Sequence, residues 1–104
     1  MSGVALIAHF DGDPDELAPR FHAAASRYAQ TPDAPQPTTA VLLRNKDGIA
    51  AVLVWPPSAS LQPFRTFLRG AVAELGLPHP RVEHLRADAT SWETFVESGS
   101  SNRA

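Results

Sequence analysis

One stretch of the sequence, from Ile49 to Pro78, constrains the fold more than any other. Every residue from Ile49 to Trp55 is apolar, which is typical of a β-strand that is covered on both faces. After two prolines, apolar residues recur at steps of three and four, as on one face of a helix: Leu61, Phe64, Leu68, Ala71 and Leu75. Gly76 marks the end of this helix. The stretch therefore predicts a strand followed by a helix, and it contains no ligand cluster or phosphate-binding loop.

The composition limits both the size and the partners of the protein. A chain of 104 residues with 43% hydrophobic residues forms one domain, which we place at residues 1–97, followed by a disordered tail at residues 98–104. A formal net charge of −2 and the lack of a Lys/Arg run argue against a nucleic-acid partner. Without cysteine, disulfides and thiolate metal sites are impossible.

The start of the chain and its apolar runs bear on where the protein works. The first residues lack a basic leader, and no apolar run approaches roughly 18 residues, so we expect neither a signal peptide nor a membrane span. The expected location is the cytoplasm, and no cofactor is predicted.

Three more strands and one more helix can be placed along the chain. Val4 to Phe10 is a strand that is apolar on both faces, and a helix with Asp13 as its cap runs from Pro14 to about Gln30. Thr38 to Arg44 is a second strand, joined to the third by the hairpin sequence NKDG. Arg81 to Ala87 alternates more openly, as edge strands do. The order of elements is therefore βαββαβ.

This order predicts an α+β fold, with a four-stranded antiparallel sheet of spatial order 4-1-3-2 and both helices on one face. Two helices cover one face only, yet the first three strands present apolar side chains to both. Leaving about six of these in water forgoes roughly 1.5 to 3 kcal/mol each, a sum comparable with the roughly 5 to 15 kcal/mol that holds a domain folded. We therefore expect a second copy of the chain to cover the other face, forming a homodimer. Residues 90–96, which fit either a short helix or an extra strand, can lie across that neighbour.

Three segments of the chain resemble the dimeric α/β-barrel superfamily of ferredoxin-like proteins, in which two sheets pack face to face. They are ALIAHFDGDPDEL at Ala5 to Leu17, VLVWPPSASLQPF at Val52 to Phe64 and LGLPHPRVEHL at Leu75 to Leu85. The most similar members are antibiotic-biosynthesis-monooxygenase-like proteins and uncharacterised small actinobacterial relatives. The superfamily includes cofactor-free monooxygenases, isomerases, haem-degrading enzymes and members with no known activity. The resemblance therefore implies a dimeric α/β barrel and leaves the reaction open.

Two strand histidines, His9 and His84, are the candidate catalytic residues. The first and fourth strands are expected to be antiparallel neighbours, and one register sets both histidines on one face, diagonally related. A histidine there can act as a general base toward an acidic C–H or O–H of a bound phenol. The competing interpretation, which we favour, is a histidine packed at the subunit interface with its nitrogens bonded to backbone.

Four side chains are expected at one end of the sheet and together have donor atoms for a divalent metal: His9, Asp11, Asp13 and His79. A helix cap, a turn and a loop account for them as well, and no metal site is predicted.

Aromatic side chains supply the candidate ligand-binding residues Tyr28, Trp55 and Phe64. The resemblance implies a cavity between sheet and helices that takes a small hydrophobic or aromatic ligand, although an aromatic stripe at helical spacing is usually core. The Tyr28 hydroxyl and Trp55 are expected to reach such a pocket and orient a polar group. Four arginines are expected to be solvated or paired with Glu74 and Glu83: Arg44, Arg65, Arg69 and Arg86.

Two hypotheses for the function follow. The first is a homodimeric barrel whose cavity binds a small hydrophobic or aromatic molecule, with cofactor-independent monooxygenase-type or isomerase-type chemistry. The alternative is a non-catalytic dimer, a binding or assembly module whose core is filled by its own side chains. A cavity of about 300 Å³ or more with a polar group at its mouth favours the first hypothesis. The sequence leaves open whether the protein is an enzyme.

Overall fold

A computed structural model describes residues 3–56, 61–88 and 92–101 of the chain. Its elements are, in order, β1 (Gly3–Asp11), α1 (Pro14–Ala29), β2 (Thr39–Asn45), β3 (Gly48–Trp55), α2 (Gln62–Leu75), β4 (Arg81–Ala87) and α3 (Trp92–Ser101). The predicted order βαββαβ is confirmed for the first six elements.

The seventh element, α3, settles part of what the sequence left open. Residues 92–96 are helical, while residues 90 and 91 lie outside the described part of the chain. The helix extends to Ser101. The domain at residues 1–97 and the tail at residues 98–104 stay predictions. Residues 102–104 lie outside the described part.

All four strands of the sheet run antiparallel to their neighbours. Their order across the sheet is β2-β3-β1-β4, which reads 4-1-3-2 from the opposite edge. β1 lies in the interior and pairs with β3 on one side, where Ala8 faces Ala51, and with β4 on the other, where Leu6 faces His84. β2 and β4 are therefore the two edge strands.

One face of the sheet is covered by α1 and α2 and carries the core. Alternate residues of β1 and β3 on this face are at most 5% exposed: Leu6, Ala8, Phe10, Ile49, Ala51, Leu53 and Trp55. The helices contribute the apolar stripe predicted from their spacing, including the buried Phe21, Phe64 and Leu68. The core of the described chain thus lies between the sheet and two helices.

The helix ends follow from local chemistry. The Asp13 carboxylate accepts a hydrogen bond of 3.0 Å from the backbone N–H of Asp15, and Pro14 is the first residue of α1, as predicted. α2 ends at Gly76, whose φ of 69° is left-handed. None of the described helices is long and apolar enough to cross a membrane.

The other face of the sheet, here called the open face, is apolar as well. Ile7, Val52 and Val54 are half-buried there by their neighbours. Further out on the same face, Val41 is 47% exposed, Leu43 51% and Leu85 47%. No helix in the described part of the chain packs extensively on this face. The expectation that the strands carry apolar residues on both faces is confirmed.

Two glycines give opposite predictions for the same substitution. A Cβ at Gly48 would collide with the backbone carbonyl oxygen of Phe10 in the paired strand, whereas a Cβ at Gly70 on the exposed side of α2 meets nothing within 4 Å. We expect Gly48→Ala to lower the free energy of unfolding by about 1 to 3 kcal/mol. Gly70→Ala should raise it by about 0.5 to 1 kcal/mol. Urea denaturation at equal protein concentration measures both, and shifts of the same sign would contradict this packing.

Candidate functional site

A groove of about 460 Å³ lies between α2 and β4 and is here called the α2–β4 groove. Its floor is apolar and consists of Leu68, Val72 and Val82. Polar side chains stand around it: Gln62, Arg65, Arg69 and His79. The groove exceeds the roughly 300 Å³ at which small-molecule sites begin.

The α2 sequence explains how polar and apolar residues meet in this groove. Gln62, Arg65, Arg69 and Val72 follow one another at steps of three, four and three, so they lie on one flank of the helix. This flank borders the buried stripe that contains Leu68. One helix therefore supplies an apolar floor and a polar wall to the same groove.

Both charged side chains in the lining of the groove are positive. They are Arg65 and Arg69, which line it together with His79, and no carboxylate is among the lining residues. Neither Arg65 nor Arg69 has a side-chain partner among the residues that the structure describes. The other described arginines each have an acceptor: Arg20 with the Gly76 carbonyl, Arg27 with Glu74, Arg44 with Asp15, Arg81 with Asp11 and Arg86 with Asp88. The groove can therefore hold an anion or an acidic hydroxyl.

Of the two alternatives expected from sequence, solvation holds for both arginines of the groove, which are exposed, and pairing with Glu74 or Glu83 does not. Glu74 accepts from Arg27 at 2.8 Å, and Glu83 lies 2.9 Å from the His9 Nε2 atom, so neither carboxylate pairs with an arginine of the groove. Sequence reasoning placed Arg65 and Arg69 among solvated surface residues. Their spacing of four beside Leu68 and Val72 was the available signal.

A second, smaller cavity of about 170 Å³ lies between α1, α2 and the start of β2. Tyr28 and Phe64, two of the candidate ligand-binding residues, line it, whereas Trp55 does not. Its volume is below the range of small-molecule sites. The aromatic residues thus serve mainly as packing around this space.

The polar atoms of Tyr28 and Trp55 are used within the chain. The Tyr28 hydroxyl donates to the Pro35 carbonyl at 2.7 Å, and the Trp55 indole N–H donates to the same oxygen at 3.0 Å. The Phe64 ring meets both aromatic rings, at centroid distances of 5.0 and 5.1 Å. These contacts attach the proline-rich connection before β2 to the core, so both donors are directed at Pro35 and not into a pocket.

The strand register separates the two candidate catalytic histidines. His84 pairs with Leu6 and His9 pairs with Arg81, so His84 lies on the helix-covered side and His9 on the open face. The prediction that they share a face is wrong, because the register differs by one residue from the one assumed. The Nε2–H group of His9 donates to the Glu83 carboxylate at 2.9 Å, and this nitrogen is therefore bonded to a side chain and not to backbone. Sequence reasoning treated His79, the histidine that lines the groove, as a loop residue.

The end of the sheet that carries the β2–β3 hairpin holds a shallow polar depression of about 220 Å³. His9 and Asp11 line it, but Asp11 faces Arg81 at 3.4 Å, Asp13 caps α1, and His79 is not part of the lining. Within residues 3–56, 61–88 and 92–101, no three histidines or carboxylates converge in a way that suits a metal ion.

The arrangement of sheet and helices is a ferredoxin-like α+β fold, and solved structures share it. One is SnoaB, a cofactor-independent oxygenase from Streptomyces nogalater, with a TM-score of 0.56 and 22% identity over 88% of this chain and 96% of that one. A single-residue variant of the same enzyme matches with a TM-score of 0.51 and 21% identity over 86% and 93%. No protein family model matches the sequence, and no curated protein does. At this identity the similarity shows a shared fold.

Tyr28 gives a prediction that can be read without interference, because it is the chain's one tyrosine. Burial raises its pKa above the ordinary value of 10.0. The unfolded chain therefore ionises first, so the free energy of unfolding is unaffected by this group below the unfolded pKa and falls as the pH rises through the folded one. Absorbance titration of the phenolate should give a folded-state pKa above 10.0. Tyr28→Phe should lose this alkaline dependence, and ionisation of the folded protein below that value would contradict the packing.

Proposed function

We propose that this protein is a homodimer that binds a small acidic aromatic molecule in the α2–β4 groove and oxygenates it without a cofactor. The observation that carries the proposal is the pair Arg65 and Arg69, which stand without a carboxylate partner in the described chain over an apolar floor. The fold shared with SnoaB, which is a cofactor-independent oxygenase, supports the reaction class.

The ligand class follows from the floor and the wall of the groove. Leu68, Val72 and Val82 offer apolar contact to aromatic rings, and burying such rings is favourable in proportion to the area removed from water. Guanidinium groups donate to phenolate or carboxylate oxygens and favour the ionised form of a nearby acid. A phenol with fused rings satisfies both requirements.

The chemistry needs a base and a site that tolerates negative charge. His79 takes the role of general base that the sequence assigned to His9 and His84, because it lines the groove. Removing a proton from a methylene group conjugated to the phenol gives a carbanion that Arg65 and Arg69 stabilise. This carbanion reacts with O₂ and forms a peroxide on the former methylene carbon. When the O–O bond breaks, one oxygen atom remains as the new carbonyl oxygen. The other oxygen atom leaves as water together with the two hydrogens of the methylene group.

The binding step predicts a difference between arginines. We expect Arg65→Ala and Arg69→Ala each to weaken binding of a hydroxyanthraquinone probe roughly 10- to 100-fold, since hydrogen bonds to charged groups contribute about 1.5 to 3 kcal/mol. Arg86→Ala is the matched control, because Arg86 lies outside the groove and pairs with Asp88. Absorbance titration measures the dissociation constants. Equal affinities in all three variants would overturn the proposed site.

The reaction itself is tested by oxygen uptake with an anthrone of the same ring system and by the yield of the corresponding quinone. His79→Ala should reduce turnover while the protein still binds the hydroxyanthraquinone. Unchanged turnover in His79→Ala would show that His79 is not the general base. If the unaltered protein does not turn over the anthrone, the proposed reaction is refuted, whereas the proposed binding site is not.

The dimer is supported by the composition of the open face. This face is apolar, with Val41, Leu43 and Leu85 about half exposed on its outer strands, and the polar pair of His9 and Glu83 lies toward one end. Apolar side chains bordered by polar groups are usual in protein–protein interfaces, and monomers rarely expose an apolar patch of this kind. A second copy carries the same apolar surface, so two copies related by a two-fold axis can cover each other's open face.

A charge on the open face should separate the copies. Leu43→Glu places a carboxylate among the apolar side chains of this face, and we expect the variant to elute as a single folded chain in size-exclusion chromatography with light scattering. Ala73→Glu adds the same charge to the exposed side of α2 and should leave the dimer intact. Identical masses for the two variants would contradict an interface at the open face.

The alternative of a non-catalytic binding module keeps one observation in its favour. Phe21, Phe64 and Leu68 are at most 7% exposed and leave a space of about 170 Å³ between helices and sheet. A core that is filled in this way needs no ligand. Intact dimers that neither bind the hydroxyanthraquinone nor consume oxygen would favour this second function.

A further inference from the structure

The outer surface of α3 is unusually apolar for a helix in water. Trp92 is 78% exposed, Phe95 62% and Val96 48%. The Trp92 and Phe95 rings stack on each other at a centroid distance of 5.6 Å and an interplanar angle of 16°. Exposed apolar clusters of this kind usually mark a surface that another molecule covers.

α3 stands away from the rest of its own chain. It makes no extensive contact with any other helix or strand of the described residues. The radius of gyration of 15.0 Å exceeds the roughly 13 Å typical of a compact chain of this length, which agrees with a projecting element. The α2–β4 groove of the same chain therefore does not receive the aromatic surface of α3 in this structure.

The charges of α3 and the groove are opposite. α3 carries Glu93 and Glu97 and no basic residue in the sequence WETFVESGSS. The groove carries Arg65 and Arg69, without a carboxylate among its lining residues. An acidic helix with an aromatic face is thus complementary to a basic groove with an apolar floor.

From this complementarity we infer that α3 of a second copy lies over the α2–β4 groove and closes its open side. The partner's Trp92 and the partner's Phe95 form a roof over the groove, with the partner's Phe95 beside Val72, and the ligand lies between this roof and the floor. The partner's Glu93 lies at the outer edge of the groove on the side of Arg65 and Arg69, whose guanidinium groups have five N–H donors each and can serve this carboxylate and the ligand together. This inference rests on the proposed function, because it makes the ligand site incomplete in one copy. Closure excludes water, and a lower local dielectric strengthens the attraction between the arginines and a phenolate.

The absence of cysteine from the sequence makes disulfide trapping a clean test. Two single variants, Phe95→Cys in α3 and Val72→Cys in the groove, are mixed and oxidised mildly, and the products are separated without reductant. We expect a mixed cross-link between the two variants in clear excess over either self-pair. Lys46→Cys in the hairpin turn replaces Val72→Cys as the matched control and should give no such excess.

A double variant that carries both cysteines in one chain distinguishes the source of α3. A cross-link that keeps the mass of a single chain, together with no mixed product from the single variants, would show that α3 folds onto its own groove and would overturn the inference. Absence of any cross-link between the two positions would overturn it as well.

Binding of the hydroxyanthraquinone separates this inference from the function on which it rests. The double variant Trp92→Ser/Phe95→Ser should bind the probe about ten-fold more weakly if the partner's helix covers the site. Val96→Ser, at the edge of the aromatic pair, should weaken binding less. A mixed cross-link with no probe binding would keep the docked helix and refute the ligand. If binding depends on the arginines but is unchanged in the double serine variant, and no cross-link forms, the ligand site is kept and the docked helix is refuted.

Discussion

The structure depends on one constraint: its middle strands are apolar on both faces, while α1 and α2 together cover one. β1 and β3 alternate between side chains such as Phe10 and Trp55, which are at most 1% exposed under the helices, and side chains such as Ile7 and Val52, which point to the open face. Because the period of a strand is two, this division is set by the sequence and cannot be altered by moving the helices. The chain therefore carries its own core on one side and an incomplete interface on the other.

The candidate site lies where the helical cover ends. α1 packs over β2 and β3, and α2 borders the edge strand β4 across a groove in which Val82 stays partly exposed. The flank of α2 that faces this space carries Arg65 and Arg69, and the chain offers them no carboxylate within its described residues. Because the helices do not cover the sheet completely at β4, the groove has an apolar floor beside side chains that are charged. The aromatic core around Phe64 is closed, and its hydrogen-bond donors are directed at the Pro35 carbonyl.

Much of the fold was readable from the sequence, because local signals agreed with one another. The Asp13 cap, the Gly76 terminus and the apolar alternation of β1 and β3 each have a local cause. The pairing of His9 and His84 was not readable, since a shift of one residue in register moves a side chain to the other face. In the sequence, Arg65 and Arg69 look like ordinary surface residues of a helix. They become the polar wall of a groove only because β4 lies beside α2. The apolar residues of α3 fit a helix and a strand equally well.

The central claim is that the open face is covered by a second copy in solution. Sedimentation velocity of the unaltered protein over a series of micromolar concentrations tests this claim most directly. The account predicts one species of about twice the chain mass of 11.2 kDa that persists on dilution through this range. A folded species with the mass of one chain at every concentration would contradict it.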